Sequence, residues 1–372
     1  MSIIDYLGNV PDPRTKDHKI LHKFSDILFI CISAVICGAE DWYEIEDYAR
    51  DKEVWLRTIL GLPAGIPSHD TFNRIFSILD TKALEANFMM WVEAVADLSE
   101  GRIVSIDGKR LCNSGEQGSK SVIHMVSAWC NNNEMVLGQL KVNDKTNEIT
   151  AIPALLETLM LQGCVVTIDA MGCQKEIASK IVQQGADYIL AVKDNQKHLH
   201  DDIKEGFEQN KISDMAEELQ KDHGRIEKRT CRIITDTDWV CSKNDWINLK
   251  TLIEITATRT ITATGIKETH TRHYISSRAG TADYFNKAIR KHWGIENKLH
   301  WVLDVCFGED KSTKRAGAAA VNFSCLNKIA LNLLYQSKEM KGARKLPMKR
   351  KRTKADRDHS YLLSLFNFKT NF

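Results

Sequence analysis

Two aspartates and a glutamate stand where carboxylates could bind divalent cations. Asp107 and Asp169 each follow directly on a short apolar run, residues 103–106 and 165–168, of the kind that forms a buried strand. Glu296 lies in a tryptophan-rich stretch with helical spacing. Mg²⁺ takes oxygen ligands and is commonly bound through a few carboxylates together with substrate phosphates. A pair of such ions can activate an attacking oxygen and stabilise a leaving one, which is the chemistry of phosphoryl transfer.

The elements around the two aspartates predict how they meet. Each Asp alone has a plainer interpretation, because an Asp in this position usually closes a strand in a turn. Three antiparallel strands followed by alternating helix and strand is, however, the order of the ribonuclease-H-like fold, an α/β fold. Its mixed five-stranded sheet places the first and fourth strands side by side, which would bring Asp107 and Asp169 together. The runs that we interpret as strands are residues 103–106, 121–129, 134–140, 165–168 and 188–192.

The glutamate belongs to a helix predicted over residues 282–305, after a β-rich insertion. On this helix His292, Glu296, His300 and Asp304 recur every four residues and share one face. A face with two histidines and a glutamate could bind zinc. The His-Glu-x-x-His pattern of zinc proteases is absent, however, and a site built from oxygen ligands suits the two aspartates better.

The rest of the chain is organised around this catalytic unit. The first hundred residues show apolar positions at helical spacing, broken by a segment rich in proline and glycine at residues 61–67. The polar face of the helix that follows, with Asn73, Arg74 and Ser77, could enter a DNA groove, although a solvated face explains it as well. The predicted parts are a small all-helical domain of residues 1–98, a ribonuclease-H-like domain of residues 101–335 with its insertion at about 197–280, and a basic tail of residues 336–372.

The tail holds a dense basic run. Between Lys341 and Arg357 there are nine Lys or Arg against one acid, Asp356, so this segment contributes +8 to a chain whose formal net charge is +2. Such a cluster near a terminus is typical of a nucleic-acid contact. A solvated tail is the equally plain alternative. The residues that we expect to contact DNA in this run are Lys349, Arg350, Lys351 and Arg352.

Composition excludes several classes of protein. The ten cysteines include no Cys-x-x-Cys pair, so neither a zinc knuckle nor a disulfide framework is predicted, and they fit small core residues in a reducing compartment. No apolar run approaches the roughly 20 residues of a membrane helix. The N-terminus lacks the basic-then-apolar pattern of a signal peptide. We therefore expect a cytoplasmic protein with no membrane partner.

Several longer motifs resemble a known family. The chain looks like an insertion-sequence transposase of the H-repeat-associated (ISAs-type) family, within the broad DDE transposase group. The motifs are DPR at residues 12–14, GIPSHDTF at 65–72, SIDGK at 105–109, TIDAM at 167–171, YILAVKDNQ at 188–196, HGRIE at 223–227 and HWGIEN at 292–297.

The resemblance implies both a chemistry and a set of site residues. Asp107, Asp169 and Glu296 would be the catalytic triad and the ligands of two Mg²⁺ or Mn²⁺ ions. The partner would be double-stranded DNA, as transposon ends and as target, bound by a homodimer in the bacterial cytoplasm at the nucleoid. The basic residues expected near the DNA phosphates are Lys109, Lys193, Arg225, His292 and Lys298.

One motif of the related transposases is missing here. They place a Tyr and then an Arg before the catalytic Glu and a Lys after it, at spacings that fall on Ile289, His292 and Leu303. A protonated His292 could still contact phosphate. Lys298, Lys311 or Arg315 could replace the missing Lys, and the fallback carboxylates are Glu309 and Asp310.

Two other functions fit the same residues. A nuclease of this fold would cleave DNA without joining it, and fold alone does not separate the two activities. A catalytically decayed copy would only bind DNA, and the unusual residues around Glu296 could record such a loss.

Overall fold

The computed structural model describes residues 2–15, 20–96, 98, 100–112, 122–142, 147–209, 211–222, 224–337 and 346–366. Residue 121 of the predicted second strand, His223 of the HGRIE motif, and Lys341 of the basic run lie outside these ranges, as do Arg344 and Lys345. None of the helices described is long and apolar enough to cross a membrane.

The N-terminal part is helical, as predicted. Side chains cap the helix starts: Ser68 accepts a hydrogen bond from the backbone N–H of Thr71, and Asp80 accepts from those of Lys82 and Ala83. The helix at residues 24–37 is apolar almost all round, and it is buried between its neighbours. The six helices are α1 Ile3–Leu7, α2 Phe24–Cys37, α3 Trp42–Asp51, α4 Glu53–Leu56, α5 His69–Ile78 and α6 Thr81–Val95.

The sheet is mixed and has nine strands rather than the predicted five. They are β1 Ile103–Leu111, β2 Ile123–Cys130, β3 Met135–Lys141, β4 Val165–Ile168, β5 Asp187–Val192, β6 Asp214–Asp222, β7 Arg225–Ile234, β8 Thr251–Ile261 and β9 Lys267–Ser276. Their order is β3-β2-β1-β4-β5-β9-β8-β7-β6. The first and fourth strands are neighbours and parallel, as predicted. The insertion does not form a separate unit, because β9 pairs antiparallel with β5 and extends the same sheet.

The described residues after β3 form eight further α-helices, some of which pack on the sheet while others pack on the helices around it. The predicted helix over residues 282–305 is interrupted, because α10 ends at His292 and the next turn is a π-helix, Ile295–His300. The helices are α7 Glu148–Glu157, α8 Lys175–Gln183, α9 Lys197–Glu208, α10 Ala282–His292, α11 Trp301–Phe307, α12 Ala319–Gln336, α13 Met348–Arg357 and α14 His359–Leu365.

The part of the predicted basic tail that the structure describes is folded against the rest of the protein. Lys351 and Arg352 are only 3% and 5% exposed. The Lys351 ammonium donates to the carbonyl of Leu334, near the end of α12, at 3.0 Å. The Arg352 guanidinium donates to the carbonyl of Val35, in the last turn of α2, at 2.7 Å. These cations satisfy the carbonyls that a helix leaves without partners at its C-terminus. The prediction that Lys351 and Arg352 contact DNA is therefore wrong, whereas Lys349 and Arg350 are exposed.

We expect Arg352→Ala to lower the free energy of unfolding by about 1.5–3 kcal/mol, the range for a hydrogen bond to a charged group. The substitution leaves the Val35 carbonyl with only the longer hydrogen bond from the Gly38 N–H, at 3.3 Å, and it removes the guanidinium from its position over the Phe307 ring. Urea unfolding measures the change. Arg350→Ala, an exposed change of the same type on the same helix, is the control, and equal stability of the two variants would contradict the capping role.

Candidate active site

Strand register places the two aspartates side by side. In the parallel pair of β1 and β4, Ile106 lies opposite Ile168, so the next residues on both strands are Asp107 and Asp169. Asp107 does not end its strand as predicted, because β1 continues to Leu111. Asp169 follows β4 directly, and its Oδ1 accepts from the backbone N–H groups of Met171 at 3.1 Å and Gly172 at 3.3 Å. This turn fixes the Asp169 carboxylate at the strand end.

The charges of three more carboxylates act on Asp107. Burial first, and then the negative charges of Asp169, Glu296 and Glu148, raise the pKa of the Asp107 carboxyl to about 7, against a hydrogen bond from the Gly108 N–H that lowers it. Burial and the charge of Asp169 also raise the pKa of Glu296. The structure thus brings Asp107, Asp169 and Glu296 close enough for their charges to interact, and it adds a fourth acid.

Glu148 is the acid that the sequence analysis missed. It is the first residue of α7, and its carboxylate lies over Gly108, where any side chain would collide with it. Burial and the charge of Asp169 raise the pKa of Glu148. The available signal was the glycine after Asp107, since a glycine often marks the close approach of another group.

The π-helix carries Glu296. The residue before it, Gly294, packs closely against Asn131 in the turn between β2 and β3, so any side chain at position 294 would collide with Asn131. In the π-helical turn the Trp301 N–H donates to the Glu296 carbonyl. Single π-turns occur frequently at functional sites, where the extra residue changes which side chains face a partner. Glu296 itself is exposed at the rim of the site.

The histidines on the same helical segment form the wall of the site. His292 Nδ1 shares a hydrogen bond of 2.9 Å with Thr167 Oγ1, and loss of hydration lowers the pKa of His292 to about 4. Burial therefore favours the neutral ring over the protonated form in which His292 was expected to contact phosphate. His300 Nδ1 lies 3.5 Å from Asp107 Oδ2, and burial lowers the pKa of His300 to about 3.

Lys109 is engaged within the protein and is not presented to DNA as predicted. Its ammonium pairs with Asp304 and lies 3.1 Å from Glu309 Oε2. Glu309 is 4% exposed and accepts a hydrogen bond from Ser324 at 2.9 Å. Burial alone would raise the pKa of Glu309, but the charges of Lys328 and Lys109 lower it overall. Glu309 is thus the neutralised partner of two lysines, which makes it a poor fallback ligand.

The remaining predicted DNA contacts are exposed and lie apart. Lys193 follows β5 directly, at the same edge of the sheet as Asp169. Lys298 is on the π-helix, where its ammonium pairs with Glu134 Oε1 at 2.6 Å. Arg225 is at the outer end of β7, opposite Asp222 and Ile261.

A groove of about 860 Å³ opens beside Glu296. One wall is formed by the sheet extension β7–β9 and the other by α10 and the start of the π-helix. Arg272 of β9 lies over the Trp293 ring at 4.7 Å, and its charge opposes the rise in the pKa of Glu296. This cation was not predicted.

Comparison with known protein families identifies the family of the chain. The family described as "Transposase DDE domain" matches residues 98–333, and one described as "DDE_Tnp_1-associated" matches residues 4–92. The chain belongs to the DDE transposase family. This DDE transposase is 43% identical to "Putative transposase YncI" of Escherichia coli O157:H7, over 97% of this chain and 93% of that protein. It is 38% identical to "H repeat-associated putative transposase YhhI" of Escherichia coli K12, over 98% and 97%. The resemblance seen in the motifs is confirmed.

A third relative is a shorter protein. "Inactive transposase YbfQ" of Escherichia coli K12 is 40% identical over 75 residues, which are 20% of this DDE transposase and 88% of that protein.

Proposed function

We propose that this DDE transposase cleaves DNA at the ends of its element and joins the freed ends to target DNA, with Asp107, Asp169 and Glu296 as its catalytic carboxylates. The observation that carries the proposal is the convergence of carboxylates on Asp107, whose pKa is raised by burial and by its acidic neighbours. Carboxylates that lie this close together destabilise the folded protein, because the negative charge of each disfavours ionisation of the others. Such a cluster therefore indicates a role other than stability. Sites of this kind are frequently functional.

The donor set fits a divalent metal of the hard type. The carboxylates Asp107, Asp169, Glu296 and Glu148 offer only oxygen atoms, which Mg²⁺ and Mn²⁺ prefer. Two histidines lie beside this donor set. His292 shares a hydrogen bond with Thr167, and His300 lies beside Asp107. Among the residues that the structure describes, no three His, Cys, Asp or Glu already lie close enough together to hold a metal ion. Asp107, Asp169 and Glu296 would hold Mg²⁺ or Mn²⁺, with two ions proposed.

The protein's own residues prepare the site in three ways. Asp107 and Asp169 are fixed by adjacent strands, so their separation is set by the sheet. Glu296 lies at the rim of the site on the π-helix, where its side chain is exposed to an incoming substrate. Neutral His292 and His300 fill the wall without adding positive charge that would compete for the carboxylates. Bound metal supplies charge neutralisation at the phosphate and activation of water for strand cleavage.

Strand-transfer assays test the joining step. We expect duplexes that already carry a free 3′-hydroxyl at the transposon end to be joined to target DNA in the presence of Mg²⁺, because the freed hydroxyl takes the place of the attacking water. Cleavage of uncut ends without joining of pre-cut ends would identify a nuclease. DNA binding without either reaction would identify a decayed copy. One shorter relative, "Inactive transposase YbfQ", is named as inactive. We also propose that two copies of the chain assemble on the DNA.

A further inference from the structure

The groove beside Glu296 carries an excess of positive charge. Six cations line it, and only three carboxylates, Glu227, Glu268 and Glu296, face them. Glu227 is shared between Arg290, at 3.2 Å, and Arg259, at 3.8 Å. The cations are Arg229, Arg259, Arg272, Arg290, Lys291 and Lys298.

Arg229 is the least expected member of the groove. It is 7% exposed, and its Nε has no hydrogen-bond partner among the residues that the structure describes. Within those same residues no carboxylate lies within the 4 Å of an ion pair with it. Burial, and then the charge of Arg290, lowers the pKa of Arg229 against the opposing charges of Glu227 and Glu218. A buried and incompletely paired guanidinium next to a second one destabilises a folded protein unless an anion binds there.

Arg229 and Arg272 form a path that leads to the carboxylates. Both belong to the sheet extension, on β7 and β9, and face the helix that carries Glu296. Arg272 lies over the Trp293 ring, and Trp293 immediately precedes Gly294, the N-cap of the π-helix. A guanidinium stacked on a ring keeps its edge free to donate hydrogen bonds to phosphate oxygens.

We infer that this groove binds the phosphate backbone of a DNA strand as it passes Glu296, with Arg229 and Arg272 as phosphate-binding residues contributed by the β-rich extension. The inference rests on the proposed function, since the strand held here is the one that reaches the carboxylates. Phosphate contacts hold the strand without reading its sequence. In this arrangement the extension acts as the second wall of the DNA site, and α10 is the first.

Binding measurements test the groove separately from catalysis. Arg229→Met and Arg272→Gln are made in the Asp107→Asn protein without metal, so that cleavage cannot affect the result. Each lost phosphate contact lowers the log–log salt slope by about 0.9 on duplex DNA and by about 0.7 on a single strand. At low salt we expect affinity for random-sequence DNA to fall about tenfold per variant, a loss that follows from that slope. A loss on single strands alone assigns the groove to an unpaired strand, and a loss on both forms assigns it to the duplex backbone.

Lys228→Met is the matched control. It removes one positive charge from the neighbouring position of β7, on the opposite face, where Lys228 is paired with Glu217 at 2.8 Å. Thermal unfolding gives the second readout, because Arg229→Met should unfold at a temperature no lower than its parent once the incompletely paired guanidinium is gone. Equal DNA affinity of Arg229→Met and Lys228→Met would overturn the inference. A clear drop in the unfolding temperature of Arg229→Met would also overturn it, since the arginine would then be structural. Retained cleavage by Asp107→Asn would instead count against the proposed function alone.

Discussion

Asp107→Asn and Asp169→Asn are each expected to reduce Mg²⁺-dependent cleavage of transposon ends by about a thousandfold or more, a loss of about 4 kcal/mol in transition-state stabilisation. The amide keeps the shape of the side chain but lacks the charge that holds a divalent cation. DNA binding should change little, because the phosphate contacts proposed for the groove lie on other residues. Cleavage rates and filter binding measured on the same preparations give both numbers. Near-normal cleavage by either variant would rule out the assigned residue.

The pH dependence of stability gives a check on Asp107 that needs no substrate. Because the pKa of Asp107 is raised to about 7 in the folded protein, from 3.8 for an unperturbed Asp, the folded state binds more protons than the unfolded state between these values. The Asp107 carboxyl therefore contributes stability to the folded state that is fully present below its unperturbed pKa of 3.8 and is lost as the pH rises through about 7. Thermal unfolding of the metal-free proteins measures this change. From pH 5 to 8, a range that covers the upper part of the shift, Asp107→Asn should lose less stability than the parent. Parallel curves would mean that Asp107 is not buried among acids.

The core of the sheet could be predicted because its signal is local. Five apolar runs of strand length, each bounded by turn residues, gave the order that makes β1 and β4 neighbours. The nine-stranded extent could not be predicted in this way, since nothing in the runs at residues 214–276 specifies that β9 pairs with β5. Strand pairing across a long insertion depends on tertiary packing and not on the pattern of either strand.

The basic residues show where sequence reasoning fails. Lys109, Lys351 and Arg352 were predicted to contact DNA because of their charge, and each is instead engaged by partners within the protein. Arg352 donates to a carbonyl 317 residues away, and Lys109 pairs with Asp304, 195 residues away. A cation is buried only where such partners meet it. Charge runs alone do not reveal these partners, and the same limit hid Arg229 and Arg272.

The helical face that was predicted from four-residue spacing does lie on the sheet. His292 contacts Thr167, His300 lies beside Asp107, and Asp304 pairs with Lys109. The spacing therefore identified the correct side of the helix. The π-turn within it could not be predicted, because the spacing of apolar and polar residues does not distinguish one π-helical turn from a continuous α-helix.

Glu296→Gln and Glu309→Gln are expected to separate catalysis from stability. Glu296 is exposed at the rim and interacts with Asp107 and Asp169, so its amide variant should lose about as much cleavage activity as Asp107→Asn, roughly a thousandfold, with an unchanged unfolding midpoint. Glu309 is buried between Lys109 and Lys328, and breaking a buried pair on one side typically costs about 3–5 kcal/mol. Its variant should therefore unfold much more easily, while the fraction that stays folded keeps most of its activity.

The assignment of Glu296 requires opposite effects in the two variants: Glu296→Gln should lose cleavage and keep its stability, and Glu309→Gln should lose stability and keep its cleavage. Urea unfolding and single-turnover cleavage are measured for both variants at a temperature where each is folded. Glu148→Gln is the third member of the set, because Glu148 adds to the charge on Asp107 from the far side of β1 and should give a smaller loss of cleavage than Glu296→Gln. If Glu309→Gln lost cleavage without losing stability, and Glu296→Gln kept it, the third carboxylate would have to be Glu309. The π-turn at residues 295–300 would then be a packing feature with no part in the chemistry.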